Sequence, residues 1–554
     1  MTDRPDAARD GQAVDPDRDL QEAVPESVRP APAGQFNSAS TGSPYGQMTD
    51  RSESQAIRGA RAADALAVDA IRAGDLPRLE TGIPGFDHVA MGGLPLRRTT
   101  LVMGSAGCAK TVLVGHFLIE GVRRGQPAVF VSLEESADDL RQNLSTLGFD
   151  VGSAEAEGLW EFVDASPVLD PDEGLTPYRF DTLLAQIGHA VDRTGAVRLA
   201  LDSLSAIRGF LDDPGGRQQL HHLVAEVRKM GLTSMFTFEV EEGADSSGLG
   251  EFVVDNVIVL RNRLEEARRR RTVEILKMRG AMHRKGEYPF TVLPGQGVVM
   301  LPLSTLQLTS PSSDARVSSG NTGLDELFDG GLFRDSIVLV SGATGTGKTL
   351  MATEFLAGSR GRDERAMMFA FEESRDQIFR NAVGWGRDFA RMEEEGRLKI
   401  VPTYPEVASL EDHLVEIKRE IDEFRPNRIA IDSLSALERN GSGKGFREFA
   451  IGLTSYLKSE AVLAMLTAAT PTLFGGDSVT EQHVSTLTDT IILLRYVELQ
   501  GEVRRGLTVL KMRGSSHDHR IREFAIGRGG LEVGEAFRNL GGILRGDVVD
   551  VPSR

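Results

Sequence analysis

The sequence has little cysteine, no long apolar run and a shortage of basic residues. Cys108 is the one cysteine in 554 residues, which excludes an intramolecular disulfide and favours a reducing, cytoplasmic location. No apolar run approaches the roughly 18 residues of a membrane span, and the N-terminus has no apolar secretion segment. Lys and Arg total 63 against 81 for Asp and Glu. The resulting net charge of −18 disfavours sequence-independent attraction to DNA or to anionic lipid. With no apolar span either, we expect neither a membrane nor a nucleic-acid partner.

An internal repeat is the main positive feature of the sequence. Two glycine-rich loops that end in Lys-Thr lie 238 positions apart, counted from Lys110 to Lys348. A Glu-Glu-Ser motif, an Asp-Ser-Leu-Ser-Ala motif and a Lys-Met-Arg-Gly motif recur in the same order, at offsets of 238, 230 and 234. Because chance matches would not keep this order, we predict one nucleotide-binding domain duplicated in tandem.

Shifts in composition predict the domain limits. We expect a leader over 1–75, a first domain over 76–302, a linker over 303–318, a second domain over 319–540 and a short tail over 541–554. The leader is polar and rich in Pro and Gly, so it is predicted to be disordered, with one short Ala-rich helix near its end. Since apolar strands alternate with helices in each repeat, the fold class is predicted to be α/β, with two mostly parallel sheets flanked by helices.

Each repeat has a candidate phosphate-binding loop between an apolar strand and a helix. The candidate ATP-binding residues are Gly104, Ser105, Ala106, Gly107, Cys108, Ala109, Lys110 and Thr111 in the first repeat, and Gly342, Ala343, Thr344, Gly345, Thr346, Gly347, Lys348 and Thr349 in the second. Backbone N–H groups, the lysine and the helix N-terminus all favour phosphate. An unrelated glycine-rich turn is the alternative. Ala109 departs from the pattern, and its methyl group is expected to restrict the backbone.

An aspartate ends a short apolar strand in each repeat, Asp202 in the first and Asp432 in the second. The tips of parallel strands face the ligand crevice, so we expect these carboxylates to hold Mg²⁺ together with Thr111 and Thr349. The alternative is a helix N-cap, a common role for aspartate.

An acidic pair follows another strand in each repeat, Glu134-Glu135 in the first and Glu372-Glu373 in the second. Successive strand residues point to opposite faces, so only one carboxylate of each pair can face the γ-phosphate. That carboxylate is expected to orient and deprotonate an attacking water or hydroxyl. A solvated acidic pair is the alternative.

Basic residues follow near the end of each repeat. Lys277 and Arg279, like Lys511 and Arg513, are two positions apart on predicted strands, so each pair is expected to share a face. Their distance in sequence from their own loop makes them candidates to reach a phosphate on a neighbouring subunit, which requires a ring. An exposed basic edge is the alternative. Residues 268–271, four arginines, are predicted to form a solvated turn.

One position differs informatively between the repeats. Ser485 and Thr486 align with Glu251 and Phe252, so hydroxyl groups occur in the second repeat only. Next to an ATP site, such hydroxyls are candidate phosphoryl acceptors. A capping or loop role is the alternative.

With these residues assembled, the chain resembles the KaiC family of circadian-clock ATPases and autokinases from about residue 80 to 540. The resemblance is carried by residues 277–290, 430–436 and 480–490, in addition to the phosphate loops. It implies two RecA-like domains and a homohexameric double ring that binds ATP and Mg²⁺ between subunits. The first ring would hydrolyse ATP slowly, and the second would phosphorylate its own Ser-Thr pair and remove the phosphates again.

The resemblance also implies roles for individual residues. By position, Ser485 and Thr486 match the phosphorylated pair, Thr480 a nearby third hydroxyl, Glu372 the catalytic base and Arg439 an arginine that reaches across the ring. Glu134 and Glu135 match the hydrolytic pair of the first ring, and Glu373 lies beside the base of the second.

Partners follow from the same resemblance. A KaiB-like protein is expected on the first ring and a histidine kinase as an output partner. A KaiA-type activator is not expected, because the sequence ends soon after Phe537 and lacks most of the tail on which that activator acts in the family. Two readings compete with this one: a RecA-like ATPase that acts on DNA, and a nucleotide-stabilised scaffold without useful catalysis.

Overall fold

The computed structural model describes residues 76–167, 169–170, 174–175, 179–211, 214–241, 253–265, 268–301, 312–359, 364–470, 486–538, 540–543 and 549–550. Within them the chain forms two nine-stranded sheets, one in each repeat, which confirms the predicted α/β class with two tandem RecA-like domains. The predicted leader lies outside the described residues, as do Thr480 and Ser485.

The first repeat alternates strands and helices around its sheet. Its strands are β1 (Arg78–Leu79), β2 (Leu94–Pro95), β3 (Thr99–Gly104), β4 (Ala128–Ser132), β5 (Trp160–Asp164), β6 (Leu169–Asp170), β7 (Gly174–Leu175), β8 (Arg198–Asp202), β9 (Thr233–Glu239), β10 (Asn256–Glu265), β11 (Arg268–Met278), β12 (Glu287–Leu293) and β13 (Gly297–Met300). Its α-helices are α1 (Phe86–Val89), α2 (Lys110–Arg123), α3 (Ala137–Thr146), α4 (Val151–Ala156), α5 (Phe180–Thr194), α6 (Arg208–Leu211) and α7 (Pro214–Lys229).

The second repeat has the same plan. Its strands are β14 (Arg316–Val317), β15 (Leu332–Phe333), β16 (Ile337–Gly342), β17 (Ala366–Ala370), β18 (Leu398–Pro402), β19 (Arg428–Asp432), β20 (Leu463–Ala469), β21 (Thr490–Leu499), β22 (Glu502–Met512), β23 (Arg522–Gly527), β24 (Gly530–Ala536), β25 (Leu540–Gly541) and β26 (Val549–Asp550). Its α-helices are α8 (Thr322–Leu327), α9 (Lys348–Ala357), α10 (Arg375–Gly384), α11 (Phe389–Glu394), α12 (Leu410–Phe424), α13 (Leu434–Glu438) and α14 (Gly443–Ser459). Short 3₁₀ turns cover Leu204–Ile207 and Pro405–Val407.

Strand order is equivalent in the two sheets. The first runs β13-β12-β11-β10-β3-β9-β8-β4-β5 and the second β24-β23-β22-β21-β16-β20-β19-β17-β18. The strand before each phosphate loop, β3 or β16, lies between two parallel neighbours, and the long hairpin β10–β11 or β21–β22 starts the antiparallel part. Both loops therefore leave the carboxyl edge of a sheet near its centre, where ligand crevices form in parallel α/β folds.

Alternation along the central strands builds two cores on either side of each sheet. In β3, Val102 packs with the cluster beneath α2, while Leu101 and Met103 pack with the cluster on the opposite face. All three side chains are buried, as expected for a strand covered by helices on both faces. The helices thus fix the central strand, and with it the loop that follows.

A buried arginine repeats behind each phosphate loop. Arg198, at the start of β8, donates to the carbonyl oxygens of Phe117 in α2 (2.7 Å) and of Glu80 (2.7 Å). Arg428, at the start of β19, donates equivalently to the carbonyl oxygen of Phe355 in α9 (2.7 Å). These bonds satisfy a guanidinium that burial would otherwise leave unpaired.

The two repeats touch through the β10–β11 hairpin, which corrects the prediction of a solvated turn at residues 268–271. Those arginines lie on β11, and Arg268 donates to the carbonyl oxygens of Glu406 (2.7 Å) and Ala408. Arg270 pairs with Glu411 on α12 (2.9 Å) and with Glu448 on α14 (2.5 Å). The sequence hid this contact because the partners lie about 140 positions or more away.

Among the described residues, none of the helices combines the length and the apolar character needed to cross a membrane.

Candidate functional site

The second phosphate loop closes tightly between β16 and α9. Gly345 and Gly347 take φ of 79° and 107°, a region that L-residues rarely enter. A Cβ on Gly342 would lie 2.6 Å from the carbonyl oxygen of Leu494, so only glycine fits beside β21. Lys348 begins the helix, and its Nζ lies 2.9 Å from the carbonyl oxygens of Gly342 and Ala343. Burial lowers the pKa of this lysine.

The first loop keeps this geometry despite Ala109. That alanine precedes α2 with φ 72° and ψ 35°, the left-handed conformation that glycine adopts at no steric cost. Lys110 Nζ lies 3.0 Å from the carbonyl oxygens of Gly104 and Ser105, as its counterpart does in the second loop. The methyl group of Ala109 therefore strains the backbone at that residue, as predicted. The rest of the loop keeps the same path as in the second repeat.

A threonine and an aspartate meet at the head of each P-loop helix. Thr111 Oγ1 donates to Asp202 at 2.6 Å, and Thr349 Oγ1 donates to Asp432 at 2.7 Å. Burial raises the pKa of Asp432. The predicted metal residues are thus brought together in both repeats. Among the described residues, no cluster of three or more His, Cys, Asp or Glu side chains is placed to hold a metal alone.

This donor set fits Mg²⁺ carried in with a nucleotide. Mg²⁺ prefers oxygen ligands, keeps several waters and usually takes only one or two protein oxygens beside those of the phosphates. A hydroxyl and a carboxylate in contact supply that number in each repeat. The backbone N–H groups at the start of α2 and α9 are placed for the phosphates. The residues present therefore fit Mg-ATP in both loops.

The first member of each acidic pair faces the aspartate strand. Glu134 accepts a hydrogen bond from Ser203 Oγ at 2.8 Å, and Glu372 accepts one from Ser433 Oγ at 3.1 Å. Each serine directly follows Asp202 or Asp432, whose carboxylate contacts the threonine of the loop, so the glutamate lies close to the loop. Arg439 donates to Glu372 at 2.7 Å in the same chain. That ion pair belongs to the second repeat, and a reach of Arg439 across a ring stays a prediction.

The second member of each pair points elsewhere. Glu135 accepts from Asn143 and Glu373 from Asn381, each at 3.1 Å. Burial, followed by the charge of the metal-site aspartate, raises the pKa of both carboxyl groups. Both pairs lie in a bend beyond strands that end at Ser132 and Ala370, so the predicted strand alternation does not explain their different contacts. The second carboxylate of each pair bonds to the helix that follows, and which carboxylate faces a γ-phosphate stays a prediction.

The basic pairs lie at the opposite edge of the sheet from the phosphate loop of their own chain. Lys511 donates to the carbonyl oxygen of Thr488 at 2.6 Å, and Arg513 donates to that of Thr486 at 3.0 Å. Lys277 donates to the carbonyl oxygen of Val254 at 2.9 Å. The predicted strand ends one residue early at both places, because β11 stops at Met278 and β22 at Met512. Arg279 and Arg513 therefore begin turns.

Thr486 is exposed and belongs to the same edge. It precedes β21, whose first residue Thr490 pairs with Val338 near the start of β16, whereas the phosphate loop leaves the end of β16 at Gly342. In the first repeat, the segment aligned with Ser485-Thr486, residues 251–252, lies outside the described residues.

Sequence reasoning missed three groups that complete the sites. Thr237 and Thr467 each donate a hydrogen bond to the metal-site aspartate of their repeat. Glu239 ends β9 and lies 3.2 Å from Lys110, whereas Ala469 ends the equivalent strand β20. A comparison of the two repeats strand by strand would have revealed this charge difference.

Comparison with known proteins gives a consistent family. A family model described as the ATPase KaiC matches residues 79–305 and again 317–537. The circadian clock protein KaiC3 of Synechocystis sp. is 53% identical over 477 residues, which cover 85% of this chain and 94% of that protein. The circadian clock oscillator proteins KaiC of Rippkaea orientalis and of Synechococcus elongatus are 47% and 46% identical, each match covering 85% of this chain and 91% or 92% of the relative.

The two ranges matched by the family model include both phosphate loops, Asp202 and Asp432, and both acidic pairs. The chain therefore belongs to the KaiC family of ATPases.

Proposed function

We propose that this protein is a hexameric ATPase and serine/threonine autokinase of a timing system. The first site hydrolyses ATP, and the second transfers the γ-phosphoryl group to Ser485 or Thr486 of a neighbouring copy. The predicted limits 76–302 and 319–540 serve as the proposed domains. A KaiB-like partner and an output histidine kinase stay predictions that rest on the family.

The observation that carries this proposal is the separation of acceptor and phosphate loop within one chain. Thr490 is level with Val338, four residues before Gly342 on β16. At about 3.3 Å per strand residue, the two ends of this stretch are roughly 13 Å apart, and Thr486 lies further back still. Phosphoryl transfer requires reacting atoms about 3–3.5 Å apart. Transfer within one chain is therefore disfavoured, and a ring supplies the acceptor from the next copy.

The residues of the two copies would divide the chemistry. In one copy, Lys348, Thr349 and Asp432 would hold Mg-ATP, and Mg²⁺ would neutralise charge on the phosphates. Glu372 of this copy accepts the proton from the acceptor hydroxyl. The threonine Oγ then bonds to the γ-phosphorus while the bond to the bridging oxygen breaks and ADP leaves.

The acceptor copy supplies positive charge together with the hydroxyl. Lys511 and Arg513 hold the backbone next to Thr486, so they would arrive at the neighbouring triphosphate with it. Preorganised cations at the place where charge develops stabilise the transition state without reorganisation. The prediction from sequence that these residues act between subunits is supported by their position at the edge remote from their own loop.

A complementation experiment tests transfer between copies. One variant carries Lys348→Ala and has acceptors without second-site ATP; the other carries Ser485→Ala with Thr486→Ala and has ATP without acceptors. Each is incubated alone with Mg-ATP, and the two are then co-assembled. Phosphosite mass spectrometry is expected to detect phosphate at residues 485 or 486 only after co-assembly, on the Lys348→Ala chain.

The control is co-assembly with acceptor-free chains that also carry Glu372→Gln, which should leave the Lys348→Ala chain unmodified. Phosphorylation of wild-type chains held as monomers would contradict transfer between copies. Absence of phosphate from wild-type protein under all conditions would contradict the autokinase assignment as a whole.

A further inference from the structure

The two loops differ by one charge at matched positions. Glu239 is the last residue of β9 and pairs in register with Gly104, the first glycine of its loop. Ala469 is the last residue of β20 and pairs in the same way with Gly342. The duplication therefore places a carboxylate beside one phosphate loop and a methyl group beside the other.

The backbone N–H makes an equivalent hydrogen bond at both positions. The N–H of Glu239 donates to Ser205 Oγ at 2.6 Å, and the N–H of Ala469 donates to Ser435 Oγ at 2.8 Å. Since strand register and anchoring bond agree, the difference between the two sites at this point is confined to the side chain. The second repeat therefore serves as a comparison that lacks the carboxylate at this position.

The carboxylate of Glu239 faces the loop lysine. Its Oε2 lies 3.2 Å from Lys110 Nζ, with 9% of the lysine side chain and 50% of the glutamate side chain exposed. Among the described residues, Lys348 Nζ forms no ion pair within 4.0 Å in the second site, although the charges of Asp432 and Glu372 act on it. The loop lysine is therefore in direct contact with a carboxylate in the first site, whereas the carboxylates near Lys348 act on it without an ion-pair contact.

We infer that Glu239 determines nucleotide specificity in the first site by disfavouring the triphosphate relative to the diphosphate. The P-loop lysine reaches the β- and γ-phosphates, so a carboxylate in contact with it competes for the same positive charge. The γ-phosphate brings further negative charge to this place, and like charges at close range repel. The inference rests on the proposed nucleotide binding and adds a difference between its two sites.

Binding measurements on matched full-length variants test the inference. Lys348→Ala is used to remove nucleotide binding at the second loop. Glu239→Gln is then added, because it removes the charge of the side chain and keeps its size. The probes are a fluorescent non-hydrolysable ATP analogue and fluorescent ADP, both with Mg²⁺. Glu239→Gln is expected to raise the affinity for the ATP analogue about fivefold, which corresponds to ~1 kcal/mol for a half-exposed ion pair. The affinity for ADP is expected to change less.

The reciprocal change uses the second site. In a chain whose first loop is silenced by Lys110→Ala, Ala469→Glu is expected to weaken the ATP analogue by a similar factor, while Ala469→Gln is the neutral control. Circular dichroism establishes that each variant is folded.

The outcomes separate this inference from the proposed function. If the parent chain binds neither probe at the first loop, the proposed nucleotide site fails and the inference fails with it. If the parent binds both probes and Glu239→Gln leaves the ratio of the two affinities unchanged, the inference alone is overturned. Weaker binding of the ATP analogue by Glu239→Gln also overturns it, because the carboxylate would then support the bound triphosphate.

Discussion

Replacing Arg270 by alanine is expected to weaken the contact between the two repeats by about 2–3 kcal/mol. The guanidinium bonds to Glu411 at 2.9 Å and to Glu448 at 2.5 Å, with 12% of the arginine, 12% of Glu411 and 26% of Glu448 side chains exposed. Hydrogen bonds between charged groups contribute about 1.5–3 kcal/mol each. Truncation also leaves two carboxylates without this partner, a penalty that solvent access to Glu448 reduces.

The tryptophans allow each repeat to be followed separately. Trp160 lies in β5 and Trp385 at the end of α10, and the sequence contains two tryptophans. Urea unfolding is measured by fluorescence in Trp160→Phe and Trp385→Phe backgrounds at one protein concentration. For an m-value of about 2–3 kcal/mol per M, Arg270→Ala should lower the midpoint of the less stable repeat by on the order of 1 M.

Lys444→Ala is the matched control. Lys444 lies 4.0 Å from Glu448 on the same helix, but 77% of its side chain is exposed, so its removal should change the free energy of unfolding by less than about 0.5 kcal/mol. Equal midpoints for Arg270→Ala and the parent in both backgrounds would refute the assignment of this cluster as a stabilising contact between repeats.

Three further predictions follow from single residues. Ala109→Gly should relieve about 1 kcal/mol of left-handed strain, so calorimetry should find nucleotide binding in the first site equal or tighter; weaker binding would contradict the reading of this loop. Burial lowers the pKa of His116 to about 4, so the unfolded chain takes up the proton first and stability should fall by about 3 kcal/mol as pH drops from 6.5 to 4. His116→Gln should flatten that pH dependence in urea titrations, and an unchanged slope would count against the assignment. Glu372→Gln should abolish phosphate incorporation while ATP affinity is retained; normal incorporation would exclude it as the base.

The local order of strand, loop and helix was predictable from sequence because neighbouring residues determine it. A strand, a glycine-rich loop and a helix form a continuous unit, so Lys348 and Thr349 could be assigned to one site from order alone. Asp432 was also predictable, since the carboxyl ends of parallel strands meet at one edge. The structure adds the contact between Thr349 and Asp432, which order in sequence does not supply.

Interactions between distant segments were not predictable from one sequence. In the sequence, Arg268 and Arg270 resemble part of a charged turn. Their partners are carbonyl oxygens and carboxylates of the second repeat, which neighbouring residues do not predict. Glu239 was overlooked for a related reason. Its role becomes visible only from its ion pair with Lys110, which belongs to another segment of the chain.

The buried arginine behind each loop has a consequence for how the metal site is prepared. Arg198 is the first residue of the strand that ends in Asp202. Its side chain donates a hydrogen bond to the carbonyl oxygen of Phe117, which lies six residues after Thr111 in α2. Its anchoring points thus lie roughly 13 Å along the strand and 9 Å along the helix from Asp202 and Thr111, the proposed Mg²⁺ ligands. These hydrogen bonds fix the helix against the strand, so the distance between the two side-chain oxygens is set before a ligand binds. The site therefore loses little conformational entropy when the ligand binds.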